Sequence, residues 1–127
     1  MKLTILPETL AICRLEKDTS LPDWAWADNF VSVTRTADEL SIVCPQKKVP
    51  ADVKRDEGWR CLKVQGPLDF SLTGILTSLT MPLAEEGISV FAISTYDTDY
   101  LLVKEEQLEG AIQALREEGY DIEKSSK

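Results

Sequence analysis

The 127-residue chain contains no histidine, the side chain that most often serves as general base, catalytic relay and zinc ligand. Serine–histidine and cysteine–histidine catalysis are thereby excluded. Any chemistry would fall to carboxylates, lysine, tyrosine or cysteine, and no paired constellation of these stands out. Positive charge is also scarce: 14 Lys and Arg stand against 22 Asp and Glu, a formal net charge of −8. Without a cluster of Lys and Arg there is no face to neutralise phosphates, so no nucleic-acid partner is expected. Cysteine is confined to Cys13, Cys44 and Cys61, a spacing that fits neither a CxxC pair nor a zinc knuckle. Each reads as a buried, inert strand thiol, and neither metal nor redox chemistry is expected. The odd number of thiols and the lack of a signal-peptide pattern point to a reducing cytoplasm. No apolar run approaches the roughly 18 residues of a membrane span, so no membrane partner is expected.

The first half of the sequence is clipped. Lys2–Leu6, Leu10–Leu15, Phe30–Arg35 and Glu39–Cys44 read as strands, rich in Ile, Val and Leu and punctuated by Pro7, Pro22 and Pro45. Pro22–Ala27 has room for about one or two helical turns, and Pro50–Gly58 reads as another short helix, opened by proline and closed by glycine. The second half is fuller. Trp59–Gln65 is a strand, and Leu72, Ile75, Leu76, Leu79 and Leu83 then form one stripe of a helix. Pro82 removes a donor and predicts a kink or tightened turn near Ser78–Pro82, with Gly87 as the stop. Ile88–Thr95 and Asp99–Lys104 are strands. Glu105–Glu118 carries Leu108, Ala111, Ile112 and Leu115 on one face, Gly119 ends it, and Tyr120–Lys124 is a last edge strand. The acidic face of this second helix reads as solvated surface. From Trp59 the order is βαββαβ, a ferredoxin-like pattern in which two helices cover one face of a sheet.

An internal repeat extends the pattern to the first half. Phe30–Val43 aligns over Val90–Val103 without a gap at an offset of 60, placing Glu39 on Asp99 and Thr34 on Ser94. Two complete units need eight strands, and a tight turn at Pro7 pairing Lys2–Leu6 with Leu10–Leu15 would supply the missing one. The expected fold is therefore α+β, two ferredoxin-like βαββαβ units in tandem. Residues 1–57 form the first unit, clipped and circularly permuted, and residues 58–127 the second, complete one.

The segment from Gly66 to Thr73 leads to a helix N-terminus, where free N–H groups and the macrodipole favour an anion such as an α-carboxylate. Asp97 and Asp99 stand at a hairpin end, where a carboxylate receives an ammonium or guanidinium. In a regular strand the two would face the same way. A pole for an anion and one for a cation describe an amino acid. Simpler readings stand beside this one. Ser71 or Thr73 also serves as an ordinary helix N-cap, and Asp97-Thr98 as ordinary turn chemistry. Asp99 is harder to explain so, because Asp is a poor strand starter beside Tyr100 and Leu101. Trp24 and Trp26 cannot share one helical face, which leaves one as a lid over the first sheet and the other exposed or in a dimer contact.

The runs Gly66-Pro-Leu-Asp-Phe-Ser-Leu-Thr-Gly-Ile-Leu76 and Gly87-Ile-Ser-Val-Phe-Ala-Ile-Ser-Thr-Tyr-Asp-Thr-Asp-Tyr-Leu-Leu-Val103 resemble the ACT-domain branch that includes the CASTOR arginine sensors. The resemblance implies ligand contacts at Gly74, Thr95 and Asp99, with Tyr96 at the position of an aromatic residue. The candidate ligand-binding set is Ser71, Leu72, Thr73, Gly74, Thr95, Tyr96 and Asp99, with no catalytic or metal-binding residue and no cofactor. It also implies reversible sensing of an amino acid, without chemistry, at an interface between ACT units. A basic amino acid fits the acidic hairpin, while ACT pockets also accept apolar ones. The sensors carry four such domains and this chain two, so a homodimer is the expected way to complete the site. The rival reading is a structural or interaction module that dimerises through the same surfaces without a ligand.

Overall fold

A computed structural model describes residues 1–26, 29–66 and 74–125. The chain divides into two compact units, one of Met1–Pro7 with Arg60–Lys127 and the other of Glu8–Trp59. In chain order the strands and helices are β1 (Lys2–Leu15), β2 (Ser32–Arg35), β3 (Leu40–Pro45), β4 (Lys54–Val64), α1 (Ile75–Glu85), β5 (Phe91–Ser94), β6 (Asp99–Lys104), α2 (Leu108–Glu117) and β7 (Asp121–Lys124). The fold is α+β, with a mostly antiparallel sheet and two α-helices among the described residues.

In the first unit the two helical stripes behave as their spacing dictates. Leu79 and Leu83 of α1, with Leu108, Ala111, Ile112 and Leu115 of α2, are buried against Leu3, Ile5, Leu62, Val64, Leu101, Val103 and Ile122 of the strands. Alternation explains the strand members, since every second side chain points to one face. Pro82 lies inside α1 without ending it. Gly87 and Gly119 follow the helices with φ of 75° and 97°, the left-handed conformation that terminates helices most cheaply at glycine. The Ile88 N–H reaches back to the Leu83 carbonyl at 2.9 Å and that of Tyr120 to Leu115 at 3.1 Å.

The hairpin expected at Pro7 does not form. Lys2–Leu15 is one continuous strand, and its two halves pair with different neighbours. Lys2 to Ile5 run parallel to Asp121 to Lys124, while Leu10 to Leu15 pair antiparallel with Pro45 to Leu40. Pro7 falls between the two ladders, where its missing donor costs nothing and its fixed φ suits extended chain. With the hairpin goes the circular permutation. Instead β1 stands between β7 and β4, and the Gln65 N–H donates to the Lys2 carbonyl at 2.8 Å.

In the second unit Ala11 and Cys13 of β1 and Leu40, Ile42 and Cys44 of β3 share one face and form a core with Ala25 and Val49. Trp24 packs on it half-buried, as a lid, and Trp26 is 64% exposed. The described residues of this unit contain no α-helix, only 3₁₀ turns at Asp23–Ala25 and Gln46–Lys48. The helix expected over Pro50–Gly58 is a correction of the same kind, because β4 already begins at Lys54. Arg55 explains it: its guanidinium donates to the carbonyls of Val49 at 3.2 Å, Pro50 at 2.5 Å and Val53 at 3.2 Å, holding residues 49–53 as a turn. Gly58 sits inside the strand at φ 84°, its N–H bound by the Gln46 side chain at 2.8 Å; it is a left-handed residue in a strand, not a helix stop.

All three cysteines are free and buried. Cys13 and Cys44, 31 positions apart in sequence, meet on one face: the Cys44 thiol donates to the Cys13 sulfur, which holds the proton on Cys44 and raises its pKa, while the same bond and the Arg55 charge lower that of Cys13. Burial alone pushes the Cys61 thiol from 9.0 up to about 12. Between those values the unfolded chain releases a proton that the folded one keeps. Cys61 therefore contributes stability that is complete below pH 9 and is lost as the pH rises to about 12. Chemical denaturation between about pH 8.5 and 10.5 is expected to show a steeper fall for the native sequence than for Cys61→Ala. Parallel slopes would contradict the assignment.

Candidate functional site

The sequence places its candidate residues around the β5–β6 turn and the start of α1. The structure builds that turn from Thr95. Its N–H donates to the Thr98 carbonyl at 2.8 Å, and its hydroxyl meets the Thr98 carbonyl at 3.1 Å and the Thr98 N–H at 3.3 Å. Thr98 is the buried polar residue of the described chain, and its hydroxyl donates to the Val64 carbonyl at the end of β4, at 2.8 Å. Gly66 completes the contact. A Cβ on Gly66 would lie 3.0 Å from the Thr98 Cβ and 3.1 Å from the Asp97 carbonyl oxygen, so a side chain there would press on the turn and glycine lets it rest on the strand end. Neither Thr98 nor Gly66 is among the predicted ligand residues. Thr98 reads as turn chemistry in sequence, and only the fold reveals its reach to β4.

Asp99 opens β6 opposite Ser94. It is half-buried, and its Oδ1 accepts the Ser94 hydroxyl at 2.6 Å. Leu101 and Val103 belong to the helix-covered core, so by alternation Asp99 points to the same face. Asp97 lies in the turn, outside β6. Its charge is felt instead by Tyr100, whose hydroxyl is raised by burial first and then by the charges of Cys61 and Asp97. The two aspartates do not share a strand face. Tyr96 projects from the turn, 81% exposed.

Gly74 precedes α1 at φ 75°, and its carbonyl accepts the Ser78 N–H at 2.8 Å. Nothing lies within 4 Å of where a Cβ would stand, so its backbone conformation and not a close neighbour explains the glycine. Ser71, Leu72 and Thr73 lie outside the described residues. Of the candidate set, Thr95, Tyr96 and Asp99 stand together on one hairpin.

The β2–β3 hairpin carries a second copy of this turn. The Thr36 N–H donates to the Glu39 carbonyl at 2.9 Å, and the Thr36 hydroxyl accepts from Asp38 at 3.1 Å and Glu39 at 3.2 Å. Register pairs Arg35 with Leu40 as it pairs Ser94 with Asp99. The two turns thus superpose at an offset of 59, not 60, with Glu39 at the position of Thr98. Asp38 and Asp97 then occupy the same turn position. Asp99 has no acidic counterpart, because Leu40, 1% exposed, stands in its place.

Two surface depressions lie elsewhere. One of about 500 Å³ runs along α2 past Glu109, Ile112, Gln113 and Arg116, and one of about 270 Å³ adjoins Cys13, Ser41 and Arg55. Arg14, Glu39, Lys54 and Asp56 also line the second, and Glu117 the first, and neither includes a residue of the candidate set. Among the described residues no group of three His, Cys, Asp or Glu is placed to hold a metal ion, and no helix is long and apolar enough to cross a membrane.

Residues 54–117 match the ACT domain family model, and residues 8–52 match a second model, that of an N-terminal domain. The chain is 32% identical over 112 residues to the rat protein "Cytosolic arginine sensor for mTORC1 subunit 1", covering 81% of this chain and 32% of that protein. The human protein of that name is 33% identical over 99 residues. The chain therefore spans about a third of the length of these curated relatives. A crystal structure from Agrobacterium tumefaciens matches with TM-score 0.93 and 44% identity, covering 99% of this chain and 94% of that one. The regulatory subunit of aspartate kinase from Thermus thermophilus shares the fold, with TM-score 0.57 and 12% identity over 91% of this chain.

The contact between Gly66 and the turn can be tested directly. Gly66→Ala is expected to displace residues 95–98 and cost about 1–3 kcal/mol, the range for overpacking a tight site. Thr98→Val removes the hydrogen bond to Val64 and strands a buried carbonyl, at about 1–3 kcal/mol. Urea unfolding with amide chemical shifts of residues 94–99 measures both. Unchanged shifts in Gly66→Ala would show that the turn does not rest on this glycine.

Proposed function

We propose that this chain, which belongs to the ACT-domain family, is a regulatory protein that binds an amino acid reversibly and does not transform it. The observation that carries the reading is Asp99: a half-buried carboxylate at a strand start, in a hairpin whose twin keeps the same turn without it. The ligand's cation meets Asp99, with Thr95 and the exposed Tyr96 beside it. Its carboxylate is taken to meet the start of α1 at Gly74, where a helix N-terminus favours an anion, with Ser71, Leu72 and Thr73 of the candidate set lying outside the described residues. The arginine-sensor relatives support a basic ligand. A cytoplasmic setting and the absence of a cofactor accompany the reading. Regulation would work through differential affinity for two arrangements of the protein.

The tandem reading belongs here too. The matching turns at Thr36 and Thr95 support residues 8–59 as a shortened, helix-free relative of the second unit, a duplication in which one copy kept the acid. Strand β5 stands at the end of the strand order, beside β6, and we take the active form to be a homodimer through the unit that carries Asp99. Should that surface serve assembly alone, the protein would dimerise with no ligand.

Two measurements test these readings. Asp99→Asn is expected to weaken binding of a basic amino acid by about 2 kcal/mol, roughly 30-fold, the low end for losing one member of a buried charged pair. Asp97→Asn should change it little, since turns accept Asn. Calorimetry returning equal losses at both positions would show that the site is wrongly assigned. Light scattering at high micromolar concentration should give a dimer; a monomer with and without amino acids removes the homodimer.

A further inference from the structure

We infer that Ser94 is a specificity-determining residue of this site, holding one oxygen of Asp99 so that a ligand cation is received by the other oxygen alone, as an ammonium and not as a guanidinium fork. The inference rests on the amino-acid reading given above and adds to it the chemistry of the cation. The Ser94 hydroxyl donates to Asp99 Oδ1 at 2.6 Å, within the short range of a charge-assisted O–H···O⁻ bond. The residues are directly opposed across β5 and β6, so the pair is set by register and not by a flexible reach. An unencumbered carboxylate accepts both prongs of a guanidinium in parallel. With Oδ1 engaged by Ser94 the fork must displace or share a donor already in place, whereas an ammonium needs only a single acceptor.

The β2–β3 hairpin shows that this pair is not demanded by the turn. There Arg35 and Leu40 hold the positions of Ser94 and Asp99, and the Thr36 turn closes with the same bonds as the Thr95 turn. A hydroxyl facing a carboxylate at the mouth of a hairpin therefore needs another reason, and orienting that carboxylate toward a ligand supplies one. Ser94 touches Asp99 and acts through it, as a positioning residue.

Calorimetric titration of L-lysine and L-arginine into the full chain tests this. In Ser94→Ala both carboxylate oxygens are free, and the ratio of arginine to lysine affinity is expected to rise about three- to tenfold, the worth of one hydrogen bond. Ser94→Thr keeps a hydroxyl and should keep the native ratio. A purely structural role for Ser94 would weaken both ligands alike. An unchanged ratio in Ser94→Ala, with both ligands still bound, therefore overturns the inference and leaves the amino-acid reading standing. Native protein that binds neither ligand overturns the basic-ligand reading and this inference with it.

Discussion

The hydrogen bond from Thr98 to the Val64 carbonyl, with the backbone of Gly66 laid against the same turn, is the constraint on which the site depends. Strand β4 ends there, and strand β6 begins there with Asp99. A hairpin mouth is ordinarily mobile, because turn residues have few buried contacts. A buried hydroxyl donating to a strand end limits that freedom, since breaking the bond would take a buried hydroxyl from its partner. Asp99 follows Thr98 directly, so fixing one fixes the backbone of the other. The contacts from Gly66 to Thr98 and on to Asp99 tie the end of β4 to the carboxylate of the hairpin.

What the sequence reveals and what it conceals divide along range. Helix α1, helix α2 and their glycine stops follow from spacings within a dozen residues, and the observed core contains the leucines those spacings pick out. Strand β1 is different. Pro7 is a strong local signal for a turn, and locally it is read correctly as a break in hydrogen bonding. That break falls in an otherwise straight strand because β7, over a hundred positions away in sequence, pairs only as far as Ile5, and β3 only from Leu10. Pro50 to Gly58 misleads for a similar reason: proline and glycine bound a helix-sized window, while the guanidinium of Arg55 and the side chain of Gln46 bind its backbone otherwise. The meeting of Cys13 with Cys44 is invisible to any spacing rule, because it arises from pairing of β1 with β3.

The site was legible in part, and the hairpin repeat explains which part. An ungapped alignment at 60 sets Glu39 on Asp99 and makes the acid look like a shared feature. Hydrogen-bond geometry sets Thr36 on Thr95 and Asp38 on Asp97, and the shared feature becomes the turn itself. Residues common to both turns are explained by the turn. Residues present in only one, Ser94 and Asp99, need a separate cause. The physical comparison thus separates two aspartates that sequence could only place side by side.

The missing histidine takes on a second meaning in this light. It first excludes catalytic relays, and it also keeps from the hairpin the one side chain whose ordinary charge change falls between pH 5 and 8. A basic amino acid keeps its carboxylate and its side-chain cation charged across that range, so its two poles hardly vary. In the site proposed above, with Asp99 receiving the cation, occupancy would follow ligand concentration. Hydrogen-bonded poles suit a protein that must report how much of a metabolite is present. On the reading proposed for Asp99, the site binds its ligand and leaves it unchanged.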